Sequence, residues 1–183
     1  MKTRELALAA IFSALWTALQ LSLGHIIGRV SIGPVSFHGT VNRIVGWLAM
    51  TVLAEYTVGF GKVTLMTAIA VTITRIQRAN VFMGLIVGLG YVLAGVLFDL
   101  LMNLRSSRGS RYYMLIAVIT GFTAIVPYWL FKIYLLGFPG FLLTFPVYAY
   151  SAAKGIVLSF IGVGVGLTVN KALKMFQGKR GSV

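Results

Sequence analysis

The stretch VFMGLIVGLGYVLAGVLFDLLMN, residues 81–103, carries one charged side chain, Asp99, in an otherwise apolar run. About 20 apolar residues suffice to cross the hydrocarbon core of a bilayer as a helix, so this segment reads as a membrane span. The rest of the chain agrees with it. Of 183 residues, 58% are hydrophobic and 10% are charged, where a soluble domain carries roughly 25% charged residues. Too few charged side chains remain to hydrate the surface of a soluble domain. Glycine, at 21 residues, is as abundant as expected where helices pack backbone to backbone in lipid.

Working outward, apolar stretches recur at roughly 5–24, 39–58, 63–76, 112–136 and 147–173. The breaks between them are polar or rich in glycine and proline. They are 25–38 with Ser31-Ile32-Gly33-Pro34, the Gly59-Phe60-Gly61-Lys62 turn, Arg75 to Asn80, the basic segment Arg105 to Arg111, and an apolar, proline-bounded loop over 137–146. The expected fold is an all-α integral membrane protein, a single domain of six transmembrane helices with an outward-facing cavity. The third stretch is short, so five crossings and a re-entrant piece remain an alternative. Lys2 and Arg4 before the first apolar run resemble a secretory leader, but the run is long and the remainder equally apolar, so it reads as a retained first helix.

The 16 basic and 3 acidic residues leave a net charge of +13. In a soluble protein this would suggest nucleic acid; here it reads as topology, and no nucleic-acid partner is expected. With six spans and a cytoplasmic N-terminus, the inner segments hold Lys2, Arg4, Lys62, Arg105, Arg108, Arg111, Lys171, Lys174, Lys179 and Arg180. The outer segments hold only Arg29, Arg75 and Arg78. That asymmetry places both termini inside.

Arg43, Lys132 and Lys154 fall within spans, near the outer end, together with His38, Asn42, Arg75, Tyr128 and Tyr148. A charge inside the membrane is costly unless it is paired or faces a polar cavity. Glu55 and Asp99 lie toward the inner end and cannot pair with this group. The residues expected to bind substrate are therefore His38, Asn42, Arg43, Arg75, Tyr128, Tyr148 and Lys154, and the expected ligand is a small anion. Snorkelling to lipid phosphates is the competing account for the basic residues, and an interfacial belt is the competing account for the aromatic ones.

The first span holds Ala10, Ala14 and Ala18, four apart, a smooth ridge for close helix approach, either to a partner or within the chain. Gly84/Gly88 and Gly162/Gly166 read as internal contacts. Catalytic motifs are missing: there is no H-E-x-x-H, P-loop or G-x-S-x-G. Without cysteine and with three acids, neither a cofactor, a metal site nor an enzyme is expected.

The opening Thr3-Arg4-Glu5-Leu-Ala-Leu-Ala-Ala10-Ile-Phe-Ser-Ala14-Leu resembles the start of the substrate-binding S components of energy-coupling factor (ECF) transporters. The resemblance implies a six-helix receptor for a small water-soluble vitamin or precursor, working with a transmembrane T component and two ATPase subunits. Ala10 and Ala14 match the family's A-x-x-x-A motif, which packs on the T component, and Ala18 extends the ridge. The segment from His25 to His38 corresponds to the family's extracellular lid. Lys154 resembles a lysine seen in several members. Departures are the absence of a metal-binding N-terminal histidine, of a cysteine for a corrinoid, and of intact biotin or thiamine signatures. The reading from another class is a small membrane assembly or scaffold subunit with no small-molecule ligand; an intramembrane enzyme comes third.

The topology is directly testable in a chain that has no native cysteine. With both termini cytoplasmic, cysteine placed at Ser107 resists a membrane-impermeant thiol reagent in intact cells. Labelling there overturns the orientation and the outward-facing cavity with it.

Overall fold

The computed structural model describes residues 2–32, 35–37, 39–57, 59–77, 80–104 and 109–180. The apolar stretches become helices: α1 (Thr3–Leu21), α2 (Leu23–Ile27), α3 (Thr40–Tyr56), α4 (Lys62–Ile76), α5 (Val81–Leu104), α6 (Ser110–Thr123) and α7 (Val126–Arg180). Between α2 and α3, the two-residue strands β1 (Ser31–Ile32) and β2 (Val35–Ser36) pair antiparallel. The class is all-α; the ladder is a local feature of one connection.

Helix starts are set by specific acceptors. The Glu5 carboxylate accepts the Lys2 backbone N–H at 3.1 Å, placing negative charge on the first turn of α1, where the helix dipole favours it. Asn80 accepts the Met83 N–H at 3.0 Å and caps α5. The start of α4 is bound from another helix. Asp99 of α5 accepts the backbone N–H groups of Gly61 (3.0 Å) and Thr64 (2.8 Å) and the Thr64 hydroxyl (2.7 Å). Gly61 precedes α4 at φ 101°, a backbone region that L side chains disfavour.

Two expectations need correction. The stretch 112–136 is not one helix: α6 ends at Thr123, and a turn at Ala124 and Ile125 precedes α7. The segment 137–146 is not a loop. Helix α7 runs through it with one break, at Gly137 (φ 69°, ψ 163°). Pro139 follows the break within the first turn, where its missing N–H has no helical partner to lose. Pro146 lies deeper in the resumed helix and removes one intrahelical bond. An apolar segment has few polar side chains to satisfy loop amides and carbonyls, and a helix satisfies them internally.

Contacts at the small residues set how the helices pair. Gly84 approaches Arg75, Gly88 approaches Val71 and Gly95 approaches Thr67, so α4 and α5 are antiparallel. Gly155 meets Arg43, Gly162 meets Ile44 and Trp47, and Gly166 meets Thr51, so α3 and the second arm of α7 are parallel. The glycine stripes on α5 and α7 thus make internal contacts. Trp16, Trp47, Met50, Leu53, Met66, Phe98, Tyr113 and Ile116 fill the interior.

Polarity is distributed unlike that of a water-soluble fold. Asp99 is 3% exposed and Lys62 6%, whereas Ile11 is 62% and Leu143 86% exposed. Buried hydroxyls of Thr51, Thr67, Thr120 and Ser159 bond to carbonyls one turn back in their own helices. Two stretches, Val81–Leu104 and Ser110–Phe176 across α6 and α7, are long and apolar enough to cross a membrane by length and composition. Helices α3 and α4, at 17 and 15 residues, are shorter than the roughly 20 of a standard crossing.

The α3–α7 contact yields a stability test. A Cβ at Gly162 would lie 2.6 Å from the Ile44 carbonyl oxygen and 2.9 Å from the Trp47 Cβ, while one at Gly164 meets nothing within 4 Å. Gly162→Ala lowers stability by about 1–3 kcal/mol, and Gly164→Ala does not. Thermal unfolding of the two detergent-solubilised variants checks this; equal melting temperatures would refute the close α3–α7 approach.

Candidate ligand-binding cavity

Three helices bring basic, amide or aromatic side chains to one end of the bundle. Asn42 and Arg43 lie in the first turn of α3, Arg75 in the last turn of α4, and Tyr91 on the α5 face that also carries Gly84 and Gly88. They line a cavity of about 370 Å³ together with Tyr128 and Ser151 of α7. A second lobe of about 150 Å³ shares Gly39, Arg43, Tyr91, Ile125 and Ser151 with the first and extends to Lys154 and Gly155. The larger volume suits a small molecule.

The charged walls are deeply set. Arg43 is 8% exposed and Arg75 2%. The Arg43 guanidinium lies 5.0 Å from the Trp47 ring centroid and 5.1 Å from that of Tyr91, and donates from one terminal nitrogen to the Gly121 carbonyl at 3.0 Å. Arg75 stands 5.3 Å from the same Tyr91 ring. Aromatic faces attract guanidinium groups by their quadrupole, by about 0.5–2 kcal/mol each. Trp16 and Trp47 meet Tyr91 edge-on, with centroids 6.2 and 5.8 Å away. The Trp47 Nε1–H donates to the Thr120 hydroxyl at 2.9 Å.

Asn42, 2% exposed, is held from one side only. The Trp16 Nε1–H donates to its Oδ1 at 2.9 Å, and its Nδ2 has no acceptor among the described residues.

None of the chain's three acidic side chains lines either lobe. Glu5 pairs with Lys62 at 3.5 Å and Asp99 binds the start of α4. Glu55 accepts from the Tyr113 hydroxyl and pairs with Lys174 at 2.7 Å.

Of the residues singled out in the sequence, Asn42, Arg43, Arg75 and Tyr128 share the larger lobe, and Lys154 lines the smaller. Tyr148 lines neither; it stacks on Phe141 at 5.3 Å and meets Tyr128 edge-on at 6.0 Å. Lys132 lies 5.6 Å from the Tyr128 ring. His38 lies outside the described residues. The sequence reading missed Trp16, Tyr91 and Ser151. Tyr91 had a signal, its helical spacing from Gly84, Gly88 and Gly95; nothing local marked Ser151.

On α1, Ala10, Ala14 and Ala18 are exposed, while Ala9, Ser13, Trp16 and Thr17 face the core. The alanine ridge thus lies on the outer face of α1.

No family model, curated protein or solved structure matches this chain.

Proposed function

We propose that this protein is the substrate-capture subunit of an ECF-type importer: a six-span membrane receptor that binds a small anionic vitamin or precursor at its outer face. A T component and two ATPase subunits would then drive its release inside. The observation that carries this reading is the cavity walled by Asn42, Arg43 and Arg75 at the end of the bundle away from Glu5, Glu55 and Asp99. Burying a charged group costs several kcal/mol, and an anionic ligand offsets that cost where no side-chain carboxylate is present.

Two further observations support it. Large apolar side chains such as Ile11, Leu143 and Val147 are exposed around the bundle, an outer surface suited to lipid. Ala10, Ala14 and Ala18 form an exposed, smooth face on α1, suited to close helix approach in a membrane. In this reading both termini are cytoplasmic, and the segment from His25 to His38 would serve as the extracellular lid.

The primary test is mass spectrometry of small molecules released from the denatured purified protein; a neutral or cationic ligand would sink the electrostatic argument. Replacing Arg43 or Lys154 by methionine keeps the bulk and removes the charge. Affinity for the recovered ligand should fall about tenfold or more, each 1.4 kcal/mol being a factor of ten. Unchanged affinity in both variants counts against the site. Ala14→Trp places a large ring on the exposed ridge. It should abolish co-purification with a T component while leaving ligand affinity intact, and retained co-purification removes the role given to that face.

A further inference from the structure

Asn42 contributes a buried polar group that is held in place from one side. The Trp16 indole nitrogen has a hydrogen to give and no lone pair to accept with, so at 2.9 Å it holds the Asn42 oxygen toward α1. The amide is thereby locked in one orientation, and its Nδ2 is left as a buried donor without an acceptor among the described residues. A buried, unmet donor is costly, and this one belongs to a side chain that lines the larger lobe. The same lobe carries Arg43 and Arg75, both within 5.3 Å of one tyrosine ring. Guanidinium groups donate and never accept. The three side chains together offer only donors and two positive charges, with no carboxylate along the wall.

Resting on the capture reading above, we propose that Asn42, Arg43 and Arg75 form a seat for a doubly charged oxyanion group, and that Trp16 sets its selectivity by fixing the Asn42 amide as a donor. A monoanion matches one of the two guanidinium charges, a dianion both. Charge-assisted hydrogen bonds to oxyanions are the strongest that such donors make. A phosphate monoester and a pair of adjacent carboxylates both present this chemistry. Asn42 and the two arginines bind the ligand; Trp16 is a positioning residue, touching the amide and not the anion.

The test uses two matched pairs of aromatic probes, titrated calorimetrically into the full-length protein in detergent at pH 7.5. Phenyl phosphate and methyl phenyl phosphate differ by one negative charge, as do phthalate and benzoate. The doubly charged member of at least one pair should bind tenfold or more tightly than its singly charged partner. A preference in the first pair identifies a phosphate monoester seat, and one in the second a dicarboxylate seat. Equal binding within both pairs, or no binding by any probe, overturns the inference.

Asn42→Asp keeps the shape and the Trp16 contact but exchanges the donor for an acceptor. It should weaken the preferred dianion tenfold or more with the thermal transition unshifted, and undiminished binding overturns the role of the amide. Should that variant fail to fold, Trp16→Phe frees the amide to rotate. It should narrow the dianion-to-monoanion ratio, and an unchanged ratio overturns the lock. A monoanionic native ligand recovered by mass spectrometry, with equal binding within both probe pairs, refutes this inference while leaving the capture function standing. Loss of the T component interaction and of any co-purified ligand refutes the capture function itself.

Discussion

The bundle is organised around the buried guanidinium of Arg43. From α3 it reaches the Tyr91 ring on α5, the Gly121 carbonyl at the end of α6, and the backbone of α7 at Gly155, where an added Cβ would come within 3.2 Å of it. A charge in that position must be solvated by the protein itself, and no acidic side chain lines the space around it. Its environment is made of two aromatic faces and a carbonyl. Hydrogen bonds to charged groups contribute about 1.5–3 kcal/mol, which makes the Gly121 contact a strong one. Four helices therefore converge where α3 begins, and the cavity is the space they leave beside this residue.

The opposite end follows another logic. There the acids are consumed by structure: Glu5 with Lys62 joins α1 to α4, Glu55 with Tyr113 and Lys174 joins α3 to α6 and α7, and Asp99 closes the start of α4 from α5. These contacts tie together helix ends that are distant in sequence. The molecule is thus bipolar, with the three acids engaged at one end and basic side chains lining the cavity at the other. In the capture reading proposed above, the lack of an acidic side chain along the wall leaves the cavity to an external anion.

Helix α1 belongs to both halves of this arrangement. Its inner face carries Ser13, bonded to the Met66 carbonyl at 3.0 Å, and Trp16, bonded to Asn42. Its outer face carries the uncovered Ala10, Ala14 and Ala18. A close-packed interior transmits small displacements, and Trp16 gives this helix a direct contact with the cavity wall. The surface proposed for a T component and the surface proposed for the ligand are therefore two faces of one helix.

The sequence by itself determined properties that are local or additive. Apolar runs of sufficient length fold as helices because their backbone groups have no other partners. Gly61 and Asn80 mark helix starts through their own conformational and capping chemistry. The scarcity of acids was equally legible, since composition is independent of fold. Local punctuation misled at 137–146, where Gly137 does break the helix but Pro139, falling in the first turn after the break, lets it resume at once. What only the tertiary structure decided is which polar side chains meet. Asn42 and Arg43 are neighbours in sequence, yet one turns to Trp16 across 26 positions and the other to Gly121 across 78. Tyr91, flanked by apolar residues, stands beneath two arginines, while Tyr148 turns to Phe141 instead of the cavity. These outcomes depend on the rotation and axial register of each helix against its neighbours. Close contacts at Gly84, Gly88, Gly155 and Gly162 set that register, and it is a property of pairs of helices that no single segment encodes.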